Sequence, residues 1–399
     1  MKHSLFLAGR AFLHYRGRSI TIVLCLTLTL WLPITVRFVL QQFQEEVSAR
    51  AFSTPLVIGA PGSRVDLVLH TLYLQSPPPA TTTMSEADYI TATGFATAIP
   101  VNSQYRTQGH GNVDGVPIVG TTADYFEFRN LQPRDGTLPL LLGDCVVGAA
   151  AARHLQLHVG DFILSASRNT FDIAGEYPLR MQVTGILQAT HTPDDDVVFT
   201  DLRTTWVIAG IGHGHQSVTQ PGIDPNLLLE SSPDGVTASA GVLPYTEINA
   251  DNIDSFHFHG DAASFPITTI IAVPASDRDR ILLLGRYAAA RTSAQCLKPP
   301  EVIGELMMVV LRVEQLVWIS SALAVTVTVL MLGLVLFLSL RLRAVELHTM
   351  YCLGCSRGII VQMAAGELLL MVTSATALAL VAARASLYLS SEYLRSFLF

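Results

Sequence analysis

Three long apolar runs, Ser19 to Leu40, Leu316 to Leu340 and Ile359 to Ala383, constrain this chain more than any other feature. Each is long enough to cross a bilayer, which takes about 20 residues as a helix. Half of the 399 residues are hydrophobic and only 14% are charged, a balance that predicts a membrane protein rather than a soluble one. The first run is longer than the apolar segment of a signal peptide and no clear small-x-small site follows it, so it is expected to stay as an anchor.

Charge sorts the chain by compartment. Residues 41–300 hold 14 Lys and Arg against 26 Asp and Glu, whereas the remainder holds 11 against 6. Basic side chains resist translocation. Lys2, Arg10, Arg16 and Arg18 therefore put the N-terminus in the cytoplasm, together with the short segment carrying Arg341, Arg343 and Arg357. The acidic middle then lies outside the inner (plasma) membrane, and its sign excludes nucleic acid as a partner. Lys2 and Lys298 are the only lysines, and neither sits in a Gly-Lys-Ser/Thr setting, so no phosphate-cradling P-loop is present.

The expected layout is a multi-pass α+β membrane protein with three transmembrane helices and a large two-lobed α/β extracytoplasmic domain. Residues 1–18 form an amphipathic elbow on the cytoplasmic leaflet, with Leu5, Ala8, Phe12 and Tyr15 on its apolar face. Residues 19–40 form the first span, 41–300 the outer domain, 301–340 a stalk and second span, 341–358 a cytoplasmic loop, 359–383 the third span and 384–399 a short tail. Forty helical residues from Glu301 to Leu340 measure about 60 Å, twice the hydrocarbon thickness, so half of that helix stands above the membrane. Ile303, Leu306, Val310, Val313 and Val317 give it a packing stripe. Ala375, Ala379 and Ala383 form a small-residue ladder for close helix contact.

The segment Arg343-Ala-Val-Glu346-Leu-His-Thr-Met-Tyr-Cys-Leu353-Gly354-Cys-Ser356-Arg357, followed by a span with Glu367 near its start, resembles the cytoplasmic loop of FtsX-like permeases. Residues 117–126, 143–161, 181–187 and 196–199 resemble the MacB-type periplasmic core. The order of pieces makes the likeness specific: span, large outer domain, span, loop, span. The resemblance implies the permease subunit of an ABC transporter, whose loop residues Arg343, Glu346, Leu353, Gly354, Ser356 and Arg357 form a coupling helix docking on a separate ABC ATPase subunit. ATP is then bound by that partner, with a second permease copy or a sister permease and membrane lipid completing the surroundings. The family pattern has four spans, whereas three are read here. An alternative is a mechanical transmitter that moves no substrate.

Glu367 is an ionisable group inside the third span, a functional candidate by default, or a pairing partner for Arg357 or a helix end. Nine of the twelve histidines fall in residues 41–300, among them His213-Gly-His215 and His257-Phe-His259. An H-x-H pair on a strand puts both rings on one face, so these four are candidate ligands for Zn²⁺, with Asp194, Asp195 and Asp196 as candidate carboxylates. A zinc-linked permease is the second alternative. Cys145 and Cys296 both lie in the outer domain, where a disulfide between them is possible. No G-x-S-x-G or H-E-x-x-H occurs, so no enzymatic activity is expected of the chain.

Overall fold

The computed structural model describes residues 2–74, 76–109, 115–139, 141–166, 178–214, 228–232, 235–238, 245–290 and 293–398. They fall into two compact units: Met1–Ala49 with Gly304–Leu398, and Arg50–Ile303. The chain opens with helix α1 (Lys2–His14), breaks at Tyr15 and continues as α2 (Arg16–Phe52), with Pro33 inside the helix. Thus α2 continues beyond the apolar run of residues 19–40 as one helix. It stops where the Ser53 and Thr54 hydroxyls donate to the Arg50 carbonyl at 2.9 and 3.0 Å, just ahead of Pro55.

The second unit is built on one ten-stranded mixed sheet. Its spatial order is Gln295–Leu297, Leu56–Gly59, Thr269–Pro274, Ala96–Arg106, Pro117–Thr121, Val198–Asp201, Asp144–Val147, Arg180–Leu187 and Pro133–Gly136, and Phe162–Leu164 also pairs with Arg180–Leu187. A single sheet therefore runs through the region expected to hold two lobes. Alternation along the strands separates two apolar faces. Ile118, Cys145, Val147 and Val198 join one buried cluster, while Val119, Val146 and Phe199 join another with Tyr125 and Ile271. Around the sheet lie α3 (Arg64–Tyr73), α4 (Met84–Thr93), α5 (Ala123–Arg129), α6 (Ala149–His154), α7 (Leu202–Ile208) and α8 (Asp277–Ala290). At Gly120 a Cβ would meet Thr205 Cγ2 at 2.3 Å, so the missing side chain lets α7 lie directly on the strand.

Cys145 and Cys296 are both free, and the strand order explains why no bridge joins them. Cys296 lies on the edge strand and Cys145 six strands away. At about 4.8 Å per strand that is roughly 29 Å, far beyond disulfide reach.

A buried ionic hub fixes the base of this unit. Arg50, on the last turn of α2, donates to both oxygens of Asp194 at 2.6 and 2.9 Å and to the Leu72 carbonyl at 2.9 Å. Tyr125 adds a hydrogen bond to Asp194 Oδ1 at 2.8 Å. Burial opposes the charge of Asp194, yet the adjacent Arg50 outweighs it and holds the carboxyl below its ordinary range. Burial and the neighbouring Asp194 charge push the Tyr125 phenol up to about 12, so it stays a neutral donor. The carboxylates proposed from sequence as metal ligands are thus engaged elsewhere. Asp194 belongs to the hub, and Asp195 accepts from the backbone N–H groups of Thr190 and His191.

The chain re-enters the first unit through α9 (Pro299–Leu342), turns at Arg343 into α10 (Ala344–Cys352) and ends in α11 (Arg357–Leu398). Residues 384–398 continue α11 rather than forming a separate tail, because no Pro or Gly follows Gly366 to break the helix. Among the described residues, three stretches are long and apolar enough to cross a membrane: Arg16–Phe52, Gln315–Val335 and Arg357–Tyr388. The buried edge of α11 runs through Met371, Ala375, Ala379 and Ala383, all fully inaccessible. Ile22, Val23 and Leu26 of α2 join Met371 and Ala375 in one cluster, and Trp31 Nε1 donates to Ser386 Oγ at 3.2 Å. Helix α1 also packs on α11, where Ala8 is fully buried and a Cβ at Gly366 would lie 3.1 Å from Ala8 Cβ.

Two outcomes follow from this packing. Asp194→Ala leaves the Arg50 guanidinium buried without its counter-charge, a loss of about 3–5 kcal/mol. The thermal transition of the second unit in the full chain should then fall by on the order of 10 °C, and a shift below about 2 °C would contradict the hub. The pair's contribution is complete above about pH 4 and disappears as the pH falls through the lowered value of Asp194, so the gap between parent and variant closes in acid. In a chain otherwise free of cysteine, A8C with G366C should oxidise to an intramolecular disulfide, seen as a mobility shift under non-reducing conditions. Absence of that cross-link would refute the α1–α11 contact.

Candidate functional site

The turn between α9 and α11 carries the residues singled out from the loop pattern. Arg343 sits at the α9–α10 junction with its side chain half-buried, while Val345 and Leu353 at either end of α10 are 79% and 81% exposed. Glu346 lies within α10, and its side chain is outside the described residues. Gly354 takes the left-handed backbone (φ 97°), which favours glycine. It reverses the chain after α10, with Gly354 N–H on the Tyr351 carbonyl at 3.0 Å and Cys355 N–H on Met350 at 3.1 Å. Ser356 opens the next helix, its carbonyl accepting from Ile359 N–H at 3.0 Å. The Arg357 guanidinium lies 5.7 Å from the Tyr351 ring centre, an exposed cation–π pair across the turn.

Glu367 does not pair with Arg357. It is almost completely buried and bonds to Arg18, with Arg343 at 3.7 Å from its second oxygen. Tyr15 completes the node, its ring 5.3 Å from the Arg18 guanidinium carbon and 4.5 Å from that of Arg343. One carboxylate on α11 thereby ties the α1–α2 junction to the α9–α10 junction. Two cations around one buried anion satisfy it far better than one, which is the condition for retaining charge in an apolar helix bundle. Arg18 and Tyr15 escaped sequence reasoning as partners because 349 residues separate Arg18 from Glu367.

Among the histidines, the fold joins partners that the spacing did not pair. His213, on the short strand Gly212–Gly214, stands opposite His257 on Phe256–Phe258, and His259 follows two residues later on the same side. Their ligand nitrogens lie within 4.8 Å of one another. His215, expected to share a face with His213, falls outside the described residues.

With a unit of long apolar helices and an α/β unit on one mixed sheet, the class is a membrane protein carrying a large folded domain between its first and second long apolar helices. Residues 19–240, more than half of the chain, match the MacB-like periplasmic core domain, and the chain belongs to that family. It is also similar to the solved periplasmic region of MacB from Actinobacillus actinomycetemcomitans, at 10% identity over 64% of this chain and 92% of that one, with a TM-score of 0.36. A second similar structure is the extracellular domain of the noncanonic ABC-type transporter YknZ from Gram-positive bacteria, at 10% identity over 61% and 99%, with a TM-score of 0.33. No curated protein matches the sequence.

Glu367→Gln removes the anion and leaves Arg18 and Arg343 facing each other, which should destabilise the helical unit by about 1–3 kcal/mol. Titration of the full chain in mixed micelles with a denaturing detergent, followed by far-ultraviolet circular dichroism, measures this. Arg357→Gln should leave the midpoint in place, and equal effects of the two substitutions would rule out the node.

Proposed function

We propose that this chain is the permease subunit of an ABC-type transporter, with the nucleotide bound and hydrolysed by a separate ATPase. The observation that carries this reading is a MacB-like periplasmic core domain bracketed by long apolar helices on one chain. On this reading the turn from Arg341 to Gly358 faces the cytoplasm, and the Arg50–Ile303 unit lies on the outer side of the membrane. A docking role for α10 is supported by side chains that no folded unit shields: Leu342 and Val345 are each 79% exposed, Leu353 81% and Tyr351 49%. Apolar surface outside the bilayer needs a partner, and a short helix held between two spans suits a groove on the ATPase.

The mechanism follows from how little the node can flex. Movement imposed on α10 reaches Arg343, and Glu367 couples Arg343 to Arg18 at the root of α2. Near its other end, in its last turn, α2 carries Arg50, locked to Asp194. A displacement at the loop is thus converted into rotation of α2 and α9, both continuous helices, and thence into rearrangement of the outer domain. The spans carry few ionisable side chains, which supports handling of the substrate at the outer domain and outer leaflet. Within Gln315–Val335, Leu332 and Val335 touch the α2–α11 cluster, while side chains such as Leu323, Leu330 and Leu334 are exposed, which suits lipid or a second permease copy.

The test is co-expression of the full chain with a candidate ABC-type ATPase. V345D together with L353D should abolish co-purification and reduce stimulation of the ATPase at least about tenfold, a loss of roughly 1.4 kcal/mol or more. Unchanged recovery and unchanged stimulation would sink the proposal.

A further inference from the structure

Outside the coupling end, the three-histidine cluster is the densest set of metal-binding side chains among the described residues. Its ring centres form a nearly equilateral triangle, 4.8 Å from His213 to His257, 4.8 Å from His213 to His259 and 4.9 Å from His257 to His259. A zinc ion held 2.0–2.1 Å from three imidazole nitrogens sets the ring centres about 5 Å apart. Two ligand nitrogens on a tetrahedral zinc are about 3.3 Å apart, so the present spread of up to 4.8 Å closes by small ring rotations at three side chains that are exposed or half-buried.

The local fold explains why three rings converge. His213 and His257 are directly opposed in an antiparallel pair, and His259 follows His257 at the strand period of two, so all three share the outward face. The inward face is filled by Phe256 and Phe258. Their rings lie flat over the backbone of Gly214 and Gly212, where a Cβ would meet ring atoms at 2.6 Å. Phe258 packs on Trp206 and Phe265, with ring centres 6.4 and 6.1 Å away, which seats the ribbon on the core. His259 N–H donates to the Ile211 carbonyl at 3.0 Å and holds the end of the second strand against the start of the first. His257 Nδ1 lies 3.1 Å from the Ser255 carbonyl. A carbonyl only accepts, so in the neutral ring this contact puts the proton on Nδ1 and leaves Nε2 as the ligating atom, the outer-shell arrangement that fixes a metal-binding tautomer.

We infer that His213, His257 and His259 form a binding site for a divalent late transition metal of the zinc type, with the fourth coordination position open to solvent or to an external ligand. Three neutral nitrogen donors select zinc, copper or nickel over calcium or magnesium, which take oxygen donors. The ion joins two strands that meet through only three residue pairs, so it clamps the ribbon closed. This site is independent of the transport reading, since nothing in it depends on the loop or on an ATPase.

Tag-free full-length chain in detergent is titrated with Zn²⁺ by calorimetry, and Co²⁺ is used as a spectroscopic stand-in. One Zn²⁺ should bind per chain at micromolar or lower concentration, and Co²⁺ should give the intense visible bands of a four-coordinate site. His213→Ala, His257→Ala and His259→Ala should each weaken binding by more than about 100-fold, beyond what loss of an outer-shell partner costs. His158→Ala, on an exposed histidine elsewhere in the domain, should leave it unchanged. The three side chains are exposed or half-buried, so the metal-free variants should melt with the parent. No heat at high-micromolar zinc, a weak six-coordinate cobalt spectrum in the parent, or full binding by the triple variant would each overturn the assignment.

Discussion

Placing a guanidinium and a carboxylate together in a protein interior is tolerated only when geometry and further hydrogen bonds compensate both for lost water. Arg50 and Asp194 meet that condition through a two-pronged contact, with the Leu72 carbonyl and the Tyr125 hydroxyl taking up remaining capacity. Four separate pieces of chain converge there: the end of α2, the end of α3, α5 and the turn before Val198–Asp201. Once the pair forms, the register of each piece is set, and the sheet closes over a base that cannot slip by one residue without stranding a charge. Arg129, beside the same hub, donates to Thr54 Oγ1 at 2.9 Å and secures the segment leaving α2.

The helical unit solves a comparable problem in other surroundings. An acid in an apolar bundle is costly, and Glu367 is kept by two arginines brought from opposite ends of the sequence. Around it the helices approach through small side chains: Ala8 against Gly366, then Ala375, Ala379 and Ala383 further along α11. Close backbone approach supplies dispersion contact where lipid removes any hydrophobic drive between helices. Polar links such as Thr29 with Thr328, at 3.3 Å, add direction to that contact.

Much of this architecture was legible in the sequence because it rests on local periodicity. Apolar length marked three helices long enough to cross a membrane, and spacing by four marked the alanine ladder. Short alternating stretches marked strands such as Arg180–Leu187. The partnerships were not legible. Glu367 invited pairing with Arg357, ten residues away, and took Arg18 and Arg343 instead, because helix packing rather than sequence distance decides which charges meet. Arg50 carried no local signal at all, being one basic residue in a polar stretch. The histidines were half legible: His257-x-His259 followed from strand period, whereas His213 joined through cross-strand pairing that only topology supplies. Cys145 and Cys296 show the same limit, since compartment made a bridge allowable and strand order made it impossible.

The length of α9 has a mechanical consequence. Its 44 residues form one helix without an internal proline, about 66 Å from end to end. A lever arm of that size magnifies angle into distance: a tilt of about 10° at one end carries the other sideways by roughly 11 Å. A tilt of α9 is therefore carried along its length with no internal proline to absorb it.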